Sequence, residues 1–156
     1  MKYKNLIIEK KEFVLLKRYM NLMGYYKDET LLKSVKKLQE ELGSAQIFDE
    51  ADMPKDVIRF NTKITIVSQN GWHRTFKLVL PKDSDVKNDK VSILTPMGAA
   101  VMGYAESDSI SWEFPSGEQI LTIEKVEQDN QYININMVLW RQQNYITAMS
   151  PIIGSW

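Results

Sequence analysis

The sequence predicts an α+β protein in which a short helical hairpin precedes a strand-rich domain with one short helix. Three observations lead there. Apolar residues recur twice at helical steps within the first 43 residues. From residue 57 onward, alternating or β-branched runs are separated by turn residues. A Thr-Pro pair at 95–96, followed by small and apolar residues and then Gly103, marks one short helix among the strands.

Residues 5–8 are too short a run to assign. From Lys10 to Met23 the positions Phe13, Leu16, Met20 and Met23 step by three and four, which is a helical stripe, and Gly24 ends it. After a short connection through Tyr25 and Tyr26, Asp28 is placed to cap a second helix, whose stripe is Leu31, Val35, Leu38 and Leu42, with Gly43 closing it. Two such helices joined by a short loop form an antiparallel hairpin. Neither is stable alone at this length, so the two stripes must pack together. Residues 44–56 are acidic, contain Pro54 and read as a linker. Residues 57–67 alternate, Asn70-Gly71 signals a hairpin turn, and residues 72–80 return as the partner strand. Residues 81–90 read as loop, with Val86 as the one apolar side chain after Pro81.

The grammar is densest in residues 91–126. Residues 91–94 form a short β run. Thr95 caps a helix and Pro96 takes its first position, where a missing N–H costs nothing. Gly103 stops that helix. Residues 109–114 are a strand, Pro115-Ser116-Gly117 a turn, and residues 119–126 a second strand. Beyond them, Ile133, Ile135, Met137 and Leu139 alternate with Asn134, Asn136 and Val138 as a further strand. The terminus from Tyr145 to Trp156 is apolar and is expected to pack on the domain or cover a partner surface.

Leu94-Thr95-Pro96-Met97-Gly98-Ala99-Ala100, then Gly103, Asp108, Pro115 and Gly117, resemble the C-terminal domain of the Gre-type transcription elongation factors. The resemblance is closest to the Rnk branch, the regulators of nucleoside diphosphate kinase, and covers about residues 6–126. Two departures are visible: Thr95 stands where a serine is usual, and Ser107 where a glycine is usual. The resemblance implies a short coiled-coil hairpin over residues 1–48 and an FKBP-like antiparallel sheet with one short helix over 49–126. The extension at 127–156 lies outside it and is expected to add a strand to the domain. The resemblance further implies regulation of transcription by binding RNA polymerase at its secondary channel, with Leu94, Thr95, Pro96 and Met97 as the docking corner. At the hairpin tip lie Tyr25, Tyr26, Asp28 and Glu29. Cleavage-stimulating members of the family carry acids there that help hold a metal in the polymerase. Here each helix has about 14 residues, a reach of roughly 20 Å, and acids at a helix start also cap its free N–H groups. Polymerase binding without stimulation of transcript cleavage is therefore expected.

Composition narrows the alternatives. The 156 residues hold 44% hydrophobic and 26% charged side chains, ordinary for a folded soluble protein. Twenty basic and twenty acidic residues balance, so bulk nucleic-acid binding is not indicated, and no sequence-specific contact to nucleic acid is expected. Residues 1–43 carry 10 Lys or Arg against 6 Asp or Glu, and residues 91–126 carry 1 against 5. Solvated helix faces account for this asymmetry before a dedicated patch does. There is no cysteine, which removes disulfides and thiolate metal sites. No apolar run approaches the ~20 residues of a membrane span, and the first residues do not form a signal peptide, so a cytoplasmic protein is expected.

Catalysis is not indicated. His73 is the single histidine, placed near a turn as a solvent-facing strand residue. Gly98 and Gly103 flank a helix without the Lys-Ser/Thr of a phosphate-binding loop. No enzyme activity, cofactor or metal is expected. The competing reading is a non-enzymatic interaction module with another partner, or a homo-oligomer built through the apolar tail.

Overall fold

A computed structural model describes residues 1–23 and 27–129. Strand β1 (Ile7–Glu9) runs directly into helix α1 (Lys10–Met23); helix α2 (Glu29–Leu42) returns and is followed by β2 (Gln46–Phe48). Strands β1 and β2 pair in parallel, Ile8 opposite Ile47, and so tie the two ends of the hairpin together. The expected linker at 44–56 thus contains a strand and a 3₁₀ turn over Glu50–Asp52. Three-residue strands show no periodicity of their own, and these two exist through a partner some forty residues away.

Both helices span the expected 14 residues. In α2 the stripe Leu31, Val35, Leu38 and Leu42 is buried. The α1 stripe is wider than the sequence spacing suggests. Leu15, Leu16, Tyr19 and Met20 are buried, Glu12 is buried with them, and Phe13 is only half-buried. Gly43 sits at the α2 C-cap in right-handed conformation, φ −62°, with its N–H donating to the Glu40 carbonyl.

The main sheet comprises β3 (Lys63–Ser68), β4 (His73–Val79), β5 (Lys90–Ser92), β6 (Ser109–Phe114) and β7 (Gly117–Glu127), ordered β5-β4-β3-β7-β6. Four of its strands are joined antiparallel; β5 joins β4 in parallel, with Leu78 opposite Val91, so the sheet is mixed at that edge. A bulge between Thr65 and Ile66 shifts the β3–β7 register and bends the sheet. Asn61, just before β3, has φ +66°, a conformation asparagine tolerates, and its N–H donates to the Leu78 carbonyl at 2.6 Å. His73 is exposed at the start of β4, as its position implied.

Helix α3 (Pro96–Val101) lies between the hairpin and the sheet. One apolar cluster runs from Leu16 and Leu38 of the hairpin through Met97 and Ala99 to Ile64, Phe76, Ile110 and Ile123 of the sheet. Gly103 follows the α3 C-cap at φ +82°, where an added Cβ would come within 2.7 Å of Ile8 Cδ1. That one glycine both stops α3 and lets β1 pack close. Ser107 holds φ +77°, the left-handed conformation that the more usual glycine would take without strain. The strand expected over residues 133–139 and the apolar terminus lie outside the described residues.

Candidate docking site

The Leu94–Met97 corner is built by its own hydrogen bonds. The Thr95 hydroxyl donates to the Ser92 carbonyl at 2.6 Å and accepts from the Gly98 N–H at 3.1 Å. The Leu94 N–H donates to Ser92 Oγ at 2.9 Å. Pro96 occupies the first position of α3 with Thr95 as the N-cap, as the residue types require. Gly98 is pressed against the β5 strand; a Cβ there would lie 2.2 Å from the Ser92 carbonyl oxygen. The corner is therefore a rigid turn clamped onto the sheet edge. Leu94, Thr95 and Pro96 are half-buried, while Met97 is 8% exposed and belongs mainly to the core. Across from the corner, Trp72, Arg74, Val86, Lys90 and Trp112 form the other side of a groove of about 330 Å³.

At the start of α2, Asp28 caps the helix: its Oδ1 accepts from the N–H groups of Thr30 (2.9 Å) and Leu31 (3.2 Å). Glu29 follows in the first turn, exposed. Tyr25 and Tyr26 lie outside the described residues. Among the described residues, no three His, Asp or Glu side chains are grouped as metal ligands. Lys33 of α2 lies 3.6 Å from Glu113 on β6, and Lys37 lies 3.9 Å from Glu41, so part of the hairpin's basic excess is met within the molecule.

Two features were not read from the sequence. One is the groove wall, whose members come from the turn before β4, from β4, β5 and β6, and from the connection that carries Val86, and meet only through the sheet. The other is a charged network at the hairpin base. Glu12, 2% exposed, accepts from Arg59 Nε at 2.7 Å and from the Phe60 N–H at 3.1 Å. The same guanidinium reaches both oxygens of Glu50, at 2.5 and 3.0 Å. Burial pushes Glu12 up to about 7 against the opposing pull of Arg59, whose own charge is held by the two carboxylates. Next to it the Glu9 carboxylate accepts from the N–H groups of Lys11 and Glu12, capping α1. The position of Glu12 three and four residues before Leu15 and Leu16 was the available signal that it faces inward.

A family model described as transcription elongation factor, GreA/GreB, C-terminal, matches residues 53–128. The regulator of nucleoside diphosphate kinase of Escherichia coli (strain K12) is 36% identical over 81 residues, 51% of this chain and 60% of that protein. Transcription elongation factor GreA of Christiangramia forsetii is 29% identical over 84 residues, 53% of each chain. The chain thus spans 60% of the first of these curated relatives and about half of the second. Among solved structures, the prokaryotic transcription elongation factor GreA/GreB from Nitrosomonas europaea superposes with a TM-score of 0.64 at 26% identity, over 79% of this chain and 99% of that one. That superposition is wider than the 53–128 segment. Residues 53–128 thus match the C-terminal domain of the Gre-type transcription elongation factors, with similarity to an Rnk relative over about half of the chain.

Proposed function

We propose that this protein regulates transcription by docking on RNA polymerase at its secondary channel, without stimulating transcript cleavage and without enzyme activity of its own. The Leu94-Thr95-Pro96-Met97 corner is the docking element, held rigid by Ser92 and Gly98. The match of residues 53–128 to the Gre-type domain supports the polymerase as partner. The observation that carries the cleavage-silent part is the hairpin: 14 residues in each helix give a reach of about 21 Å. Asp28, the acid nearest the tip, accepts from two N–H groups of its own helix among the described residues. Lys36, exposed on α2 between the internally paired Lys33 and Lys37, adds a cation that can face the polymerase, so affinity is expected to fall as salt rises. No helix among the described residues is long and apolar enough to cross a membrane, in keeping with action where the polymerase works.

The test is a stalled elongation complex with end-labelled RNA and Mg²⁺. The protein is expected to bind the complex and leave RNA length unchanged, with Asp28→Asn altering neither. Pro96→Ala is expected to weaken binding. RNA shortening that disappears in an Asp28→Asn/Glu29→Gln variant would reverse the proposal.

A further inference from the structure

We infer that the groove beside the Thr95-Pro96 corner receives an acidic segment of the partner protein, one that presents carboxylates to Arg74 and Lys90 and an apolar side chain to the groove between the tryptophans. This rests on the docking reading above and specifies its chemistry.

The corner by itself offers little to hold. Met97 is nearly buried, and the Thr95 hydroxyl is engaged by Ser92 and Gly98. A contact at Pro96 must therefore gain its area from the opposite wall. That wall has the makings of an interface centre. Val86 is 76% exposed, more than any other large apolar side chain among the described residues. Trp72 and Trp112 are half-buried, and Trp72 is fixed edge-on against Phe114 with ring centroids 5.2 Å apart. Rigid aromatic side chains that keep a partly open face are the type that dominates interface energetics, because little freedom is lost on binding.

The charges then select the partner. Arg74 and Lys90 line the groove, and no carboxylate does. Neither cation makes an ion pair among the described residues. The Arg74 guanidinium lies over the Phe76 ring, 5.5 Å from its centroid, which orients it without neutralising it. The loop that carries Val86 does contain acids, Asp83, Asp85 and Asp89, but they are not among the lining residues, and the Asp85 carboxylate accepts from the Asn88 amide at 2.6 Å. Two cations flanking an apolar, aromatic floor suit a short acidic and apolar stretch of protein. A nucleic-acid track would need a longer run of phosphate contacts.

The experiment measures binding of the full chain to core RNA polymerase. It compares wild type, Arg74→Glu/Lys90→Glu, Val86→Asp, and a control reversal on exposed strand positions away from the groove, Lys63→Glu/Lys125→Glu. Thermal unfolding of each variant checks folding, and Arg74→Gln/Lys90→Gln replaces the reversal if that pair unfolds. The inference expects the groove reversal to weaken binding about tenfold or more, Val86→Asp to weaken it too, and the control to stay within about threefold of wild type. Wild-type binding that survives the groove reversal, or falls equally in the control, overturns this inference and leaves docking intact. Absence of wild-type binding removes the docking reading itself. Wild-type capture of a single-stranded RNA oligonucleotide that needs Arg74 and Lys90 overturns the protein-segment assignment in favour of RNA.

Discussion

The Tyr104 hydroxyl sits 2.7 and 2.9 Å from the two oxygens of the Glu41 carboxylate, joining the segment after α3 to the last turn of α2. An acid at a helix C-terminus opposes the helix dipole, and α2 has no basic residue in its last turn. Tyr104 answers that mismatch from outside the helix, with Lys37 3.9 Å from the same carboxylate. Burial and the neighbouring carboxylate together push the Tyr104 hydroxyl well above its usual range, so it remains a donor. Tyr104→Phe is expected to cost about 1–2 kcal/mol in urea unfolding, and Glu41→Gln to cost less because the amide oxygen still accepts. A Tyr104→Phe variant as stable as wild type would show that the hairpin is held by apolar packing alone.

Leu38 tests that packing. It is 3% exposed and lies in the cluster shared by α2, α3 and the sheet. Leu38→Ala is expected to lower the unfolding free energy by about 2–5 kcal/mol. An unchanged urea midpoint would mean that the hairpin and sheet do not share a core.

Gly98 tests the corner. Because a Cβ would meet the Ser92 carbonyl oxygen at 2.2 Å, and that atom is backbone, α3 must shift to admit any side chain. Gly98→Ala is expected to destabilise by roughly 1–3 kcal/mol and to weaken polymerase binding more than Ala99→Gly, which leaves the Ser92 contact undisturbed. Equal binding by both variants would separate corner geometry from docking.

These residues also show what was legible in the sequence. Helix α2 was legible from Asp28 to Leu42 because cap, stripe and terminator agree with one another. Strand β6 and the turn at 115–117 were legible for the same reason, since period-two alternation and turn residues coincide. The Thr95-Pro96 corner was visible through its cap chemistry, and its clamp by Gly98 was not, since that contact requires β5 beside α3. Strands β1 and β2 escaped because three residues carry no period, and pairing alone makes them strands; β5 overlaps the β run read at 91–94, but its parallel pairing with β4 was not legible. Arg59 and Glu12 are 47 positions apart, and no local pattern links residues at that separation.

That Glu12–Arg59 pair yields a prediction with a definite sign. Glu12 is buried beside Glu9, faces Arg59 and the Phe60 N–H, and meets Glu50 only through the guanidinium. Its carboxyl rises from 4.5 to about 7 in the folded protein, chiefly through burial. Between those values the native state holds a proton that the unfolded chain has released. Stability from this group is therefore full below pH 4.5 and is lost as pH rises through about 7. The change is at most on the order of 3 kcal/mol. Glu12→Gln removes the titration, so its urea stability measured from pH 4.5 to 8 is expected to follow a flatter course than that of wild type, the two diverging across this window. A wild-type stability that rises with pH there, with the rise abolished in Glu12→Gln, would mean that the ionised bridge to Arg59 outweighs the cost of burying the charge.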